Sequence, residues 1–238
     1  MKEFQQARRD FLKGAVASGT VTAGSALPLT ALAQTKAPAA PTAADVPAGY
    51  VFLMPSEAAF IEAAVEHMFP ADEKIPGGVD LGINIFIDRA LAGPWGKGDR
   101  LYMDGPWQVG MPSQGYQLPL SPAELFRQGI ASANASCQKK YGRSFDQLRA
   151  EQKEEVLQGL ASGKLAFDNG LPSKAFSDAL YQCVVQGIFA DPVYGGNKNK
   201  AGWKLIGFPG VVATHARNIV AYKNKPFPTT YLGISDLA

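Results

Sequence analysis

Five stretches of the chain repeat apolar residues at helical spacing, and no run of strand length alternates apolar with polar. In the first, Ser56 reads as an N-cap, Phe60, Ile61, Ala64, Val65 and Met68 recur at intervals of three and four, and Pro70 ends the run. The second spans Asp80 to Leu91, with Asp80 as N-cap and Ile83, Phe86, Ile87, Ala90 and Leu91 on one face. The third has the clearest start, Ser121-Pro122-Ala123-Glu124, a capping box with proline at the first helical position. It predicts a helix to about Tyr141, stopped by Gly142. A fourth covers Glu151 to Leu160 and stops before Gly163. The fifth runs from about Ser173 to Phe189, with Phe176, Leu180, Cys183, Val184 and Ile188 inward. The pattern predicts a mainly α fold, a single helical domain of about five helices over residues 51–238.

The connections are unusual because they are long, rich in Gly and Pro, and aromatic. Gly93 to Leu120 holds six glycines and four prolines, yet also Trp95, Tyr102, Trp107 and Tyr116. Disordered segments are poor in aromatics, so this one is expected to be ordered against something. Asp191 to Gly210, "DPVYGGNKNKAGWKLIGFPG", adds five glycines with Tyr194, Trp203 and Phe208, and the C-terminal arm adds Phe227, Tyr231 and Leu232. Every tryptophan of the chain falls in such a segment. Large apolar side chains without a core of their own suggest a partner surface, with Trp95, Trp107, Tyr194, Trp203, Phe208, Phe227 and Tyr231 as its candidates. The Asp191 to Gly210 stretch is accordingly expected to be a glycine-hinged docking loop.

The N-terminus sets the expected compartment. Ala7-Arg8-Arg9-Asp10-Phe11-Leu12-Lys13 precedes an uncharged run of small residues that ends in Ala31-Leu32-Ala33, a charged n-region, a weakly apolar h-region and an A-x-A cleavage site. Arg8, Arg9, Phe11 and Leu12 resemble a twin-arginine export signal, with Ala7 where Ser or Thr is usual. Residues 1–33 are therefore expected to be a leader cut after Ala33, in preference to a permanent membrane helix, and residues 34–50 a flexible Pro/Ala linker. Removing the leader takes away Lys2, Arg8, Arg9 and Lys13 against Glu3 and Asp10, which lowers the net charge from +2 to 0. On that total, neither nucleic acid nor an anionic membrane is favoured.

Only two cysteines occur, Cys137 and Cys183, both on predicted helices. A disulfide between them suits an oxidising compartment and closes a loop of about 45 residues, worth about 4 kcal/mol on chain-entropy grounds. Two buried free thiols or a bond to another chain are the alternatives.

The inventory for chemistry is thin. His67 and His215 are the only histidines, neither beside a cysteine in sequence, and no H-E-x-x-H, C-x-x-C or C-x-x-C-H occurs. Neither G-x-G-x-x-G nor G-x-x-x-x-G-K-[ST] is present, and Gly195-Gly196 follows a helix where a phosphate cradle needs a strand. Asp72, Glu73, Asp80 and Asp88 cluster in sequence, but turn and cap roles account for them. No catalytic, cofactor-binding or metal site is expected in this chain.

Two runs carry a family likeness. Pro70-Ala71-Asp72 through Pro76-Gly77 to Phe86-Ile87-Asp88-Arg89-Ala90-Leu91, and Gly187-Ile188-Phe189 through Asp191-Pro192-Val193-Tyr194-Gly195-Gly196-Asn197 to Phe208-Pro209-Gly210, resemble the gluconate 2-dehydrogenase subunit 3 family. The resemblance implies a small, non-catalytic subunit of a periplasmic, membrane-associated sugar or sugar-acid dehydrogenase. In such complexes a flavoprotein of the glucose-methanol-choline type carries FAD and oxidises the alcohol. A multihaem cytochrome c subunit with haem c passes the electrons on. The small subunit assists maturation and takes the flavoprotein through the twin-arginine translocase. The competing expectation from the residues is a stand-alone periplasmic sugar-binding protein or hydrolase that uses the aromatic loops as a platform.

Overall fold

The capping box at Ser121 forms as its spacing predicts. The Ser121 hydroxyl accepts from the Glu124 N–H at 3.4 Å, while the Glu124 carboxylate accepts from the Ser121 N–H at 2.8 Å. Gly142, at φ 68, closes the helix in the left-handed region where glycine is unstrained. The computed structural model describes residues 49–99, 101–108, 110–211 and 216–237. Its helices are α1 (Pro55–Met68), α2 (Ile83–Ala92), α3 (Pro94–Lys97), α4 (Pro122–Tyr141), α5 (Ala150–Ala161), α6 (Ser173–Phe189), α7 (Ala201–Ile206) and α8 (Ala216–Ala221). Among the described residues the only β pairing is an isolated parallel bridge between Gly210 and Leu232. The fold is a mainly α single domain. The expected leader with Arg8, Arg9, Phe11, Leu12, Ala31 and Ala33, nearly all of the linker, and His215 lie outside the described residues.

The five predicted helices are α1, α2, α4, α5 and α6, and two of their starts differ from expectation. Helix α1 begins at Pro55 with Met54 as N-cap, because proline is preorganised for the first turn and the Glu57 carboxylate takes the Met54 N–H at 2.9 Å. Ser56 is therefore inside the helix. Helix α2 begins at Ile83, not Asp80. Turn bonds from the Leu81 N–H to the Gly77 carbonyl and from the Gly82 N–H to the Val79 carbonyl occupy the preceding residues, and Gly82 takes the N-cap at φ 78. The extra helices, α3, α7 and α8, are four to six residues long, too short for periodicity to mark them.

Helix α6 is the hub, packing against α2, α4, α5 and α7, while α1 packs on α2, α4 and α5. Its predicted inward set, Phe176, Leu180, Cys183, Val184 and Ile188, is buried throughout. Phe176 joins a chain of aromatic contacts: 6.0 Å to Phe60 of α1, 5.7 Å to Phe126 of α4, and onward from Phe60 to Phe145 at 4.6 Å. All four rings are fully buried. Removing one to alanine typically costs about 3–5 kcal/mol, so this cluster is a large part of what holds four segments together.

Cys137 and Cys183 are not bonded to each other; both are free, buried thiols, which corrects the expected disulfide. Each sits on the inward stripe of its helix, Cys137 on α4 and Cys183 on α6, and fills core volume as a small apolar group. Burial pushes the Cys137 thiol up to about 11 and that of Cys183 to about 12. The thiolate that would start disulfide exchange is thus suppressed at neutral pH.

Candidate docking surface

The segment after α6 owes its shape to one buried amide. Asn197 is fully buried in the left-handed region at φ 49; its Nδ2 donates to the Ala190 carbonyl at 2.9 Å and its Oδ1 accepts from the Gly202 N–H at 2.8 Å. The loop is thereby folded back on the end of α6. The glycines beside it are filled, not open: a Cβ on Gly196 would meet the Gly187 carbonyl oxygen at 2.4 Å, and one on Gly202 would meet that of Ile188 at 2.2 Å. At both glycines this chain's own backbone packs too closely to admit a side chain.

Trp203 also faces inward. It is only 3% exposed, and its Nε1 donates to the Phe189 carbonyl at 2.8 Å. This corrects its expected place on a partner surface; it is the internal anchor of the loop. The loop docks on its own C-terminal arm as well. Asp191 accepts from the Val193 N–H at 3.0 Å and, across 43 positions, from the Ile234 N–H at 2.8 Å. Lys200 Nζ donates to the Tyr231 carbonyl at 2.9 Å and pairs with the Asp236 carboxylate. The arm is held by these three polar ties and by the Gly210–Leu232 bridge.

The remaining aromatics divide by exposure. Tyr194 is 55% exposed, Phe208 is exposed and stacks edge-on to Trp203 at 5.4 Å, and Trp95 is exposed at one side while touching Phe126 at 6.4 Å. Trp107, Phe227 and Tyr231 are half-buried, and Phe227 lies against Tyr222 at 5.0 Å. The loop between α3 and α4 is ordered partly against this domain, through Tyr116, Leu118 and Leu120 packed on the core, and leaves Tyr102 and Met111 exposed.

Sequence reasoning missed the outer face of α6. Tyr181, Val185 and Phe189 recur every four residues along the flank of the core stripe; Tyr181 is 62% exposed and the other two are exposed as well. The chain then continues directly into exposed Val193 and Tyr194, and beyond Trp203 into exposed Leu205, Ile206 and Phe208. These residues share the exposed side of α6 with Asp178, Gln182 and Gln186, and a contiguous run of exposed apolar groups marks an interaction site where scattered single ones do not. The signal was present in the second stripe of the sequence, but the stronger inward stripe masks it.

Several of the polar groups serve the fold. Asp88, buried in α2, accepts N–H bonds from Val51, Phe52 and Leu53 at 2.8–2.9 Å and so pins the start of the domain. Asp72 accepts from the N–H groups of Lys74 and Ile75, which hold its carboxyl below the usual carboxylate range. Glu73 and Asp80 are exposed. His67 pairs with Glu154 at 2.8 Å, linking α1 to α5. In the depression between α4 and α5, Glu155 is taken by Lys140 at 2.5 Å and by the Tyr141 hydroxyl at 2.7 Å. Among the described residues no cluster of three or more His, Cys, Asp or Glu is placed to hold a metal ion, and no helix is long and apolar enough to cross a membrane.

No curated protein and no solved structure matches the chain. Residues 55–210, from the start of α1 through the Asn197 loop to the bridge at Gly210, match the family model described as gluconate 2-dehydrogenase subunit 3. The matched span covers well over half of the chain and both runs of residues that suggested the likeness, and the chain therefore belongs to the gluconate 2-dehydrogenase subunit 3 family.

Proposed function

We propose that this chain is the non-catalytic small subunit of a periplasmic gluconate 2-dehydrogenase-type complex, which helps its flavoprotein large subunit to mature and to leave the cytoplasm through the twin-arginine translocase. Family membership makes the chain a subunit of a dehydrogenase complex. The observation that carries the finer reading is the outer stripe of α6 with the exposed residues that follow it. A run of exposed apolar side chains along one flank of a helix and into the loop that follows it marks a surface built to be covered. On this reading the large subunit, of the glucose-methanol-choline type, holds the FAD, a multihaem cytochrome c subunit receives the electrons, and oxidation of the substrate takes place away from this chain.

The test is purification of this chain, tagged, from cells that also make its flavoprotein. The reading expects a second, larger chain and flavin absorbance in the eluate, with neither dehydrogenase activity nor flavin on this chain alone. A colourless single chain that binds gluconate or a related sugar in calorimetry would instead make it a stand-alone binding protein.

A further inference from the structure

Zero net charge after leader removal conceals a strong internal asymmetry. Residues 34–191 contain 13 Lys and Arg against 18 Asp and Glu, a net of −5, whereas residues 192–238 contain six Lys and Arg against one acid, a net of +5. From Pro192 to Ser235 there is no Asp or Glu at all. Within that basic segment lies α8, with Ile219 72% and Val220 80% exposed. Arg217, Lys223 and Lys225 flank the pair and are exposed, and Tyr222 packs edge-on to Phe227 just beyond. Lys204 is exposed beside Leu205 and Ile206.

We propose that the segment from Ala216 to Phe227 is a membrane-surface contact, with Ile219 and Val220 entering the headgroup boundary of a bilayer and Arg217, Lys223 and Lys225 meeting anionic lipid headgroups. Three features favour lipid over a protein groove. The most exposed side chains are aliphatic, on a helix too short to fill a groove. The cations lie close on either side of them, where their stems can run along apolar surface while the charges reach the headgroups. Tyr222, held against Phe227, is an amphipathic aromatic of the kind common at the membrane interface. The charge complementarity is with an anionic surface, to which each nearby Lys or Arg adds attraction that salt screens. This goes beyond the proposed subunit role. It relies on that role only for bringing the chain to a membrane, and it gives the small subunit its own hold on the bilayer, independent of its partners.

The experiment is vesicle co-sedimentation of the full chain and of the full chain carrying Ile219→Asp and Val220→Asp, or Lys223→Glu and Lys225→Glu. Whatever residues 1–33 contribute is then common to every sample. Far-UV circular dichroism confirms that these exposed substitutions leave the helices intact. The proposal expects binding to phosphatidylglycerol-containing vesicles, little to phosphatidylcholine alone, a decline as salt is raised, and at least about tenfold weaker binding for either double variant. Equal binding by wild type and variants, or no binding to either vesicle, overturns it. If the Lys223→Glu, Lys225→Glu chain instead loses its flavoprotein while vesicles are ignored, the basic segment faces an acidic protein, and the subunit reading survives without the membrane contact.

Discussion

Asn197 concentrates the physics of the glycine-rich run from Asp191 to Gly210 into one side chain. Its amide satisfies the half-buried Ala190 carbonyl at the end of α6 and the buried Gly202 N–H at the start of α7. Asn197→Ala leaves the buried N–H unpaired at about 1–3 kcal/mol, loses the bond to the carbonyl, and removes a residue type that tolerates the left-handed region. The expected outcome in urea unfolding is a loss of at least about 2 kcal/mol; a change under half that would mean the loop is held by Trp203 and the arm alone. The two cysteines make a second residue-scale prediction. With the thiols raised to about 11 and about 12 in the folded state, their contribution to stability is complete below the ordinary thiol value and is lost as pH rises towards those figures. Dithiothreitol should therefore leave the neutral-pH melting temperature unchanged, while stability falls above pH of about 9 as thiolates form in the unfolded chain. A melting temperature lowered by reductant would restore the disulfide. Sequence placed both cysteines on inward stripes correctly and then paired them from compartment reasoning, which says nothing of geometry.

At the scale of elements, the long helices were legible because capping and periodicity agree. The box at Ser121, the stop at Gly142 and the bounds of α6 at Ser173 and Phe189 all follow from local rules. The misplaced starts at Ser56 and Asp80 have one cause: a neighbouring proline or glycine set the backbone more strongly than the polar side chain could cap it. The function of the aromatic loops was only half legible. Composition shows that tryptophans need burial but not against which chain, and Trp203 is buried in its own domain. The outer stripe of α6 is the surface left to test. Tyr181→Lys with Val185→Lys replaces exposed apolar groups by good helix formers, so unfolding free energy should change by less than about 1 kcal/mol. Affinity for the flavoprotein should fall by at least about 2 kcal/mol, roughly thirtyfold, as for the loss of interface hot spots. Undiminished co-purification by the folded variant would place the interface elsewhere.

At the scale of the whole molecule, the domain is an α-helical body with an acidic majority and a basic C-terminal segment strapped to it by Asp191, Lys200 and the Gly210–Leu232 bridge. Total charge erased that division, which is why the sequence read as electrostatically indifferent. On the proposed reading such a subunit acts through what it accompanies. The most direct test is to follow the flavoprotein's location when only this chain's signal is changed. Arg8→Lys with Arg9→Lys should leave both chains in the cytoplasm, with the flavoprotein absent from the periplasmic and membrane fractions. A flavoprotein that still reaches the periplasm beside the blocked chain would contradict the account.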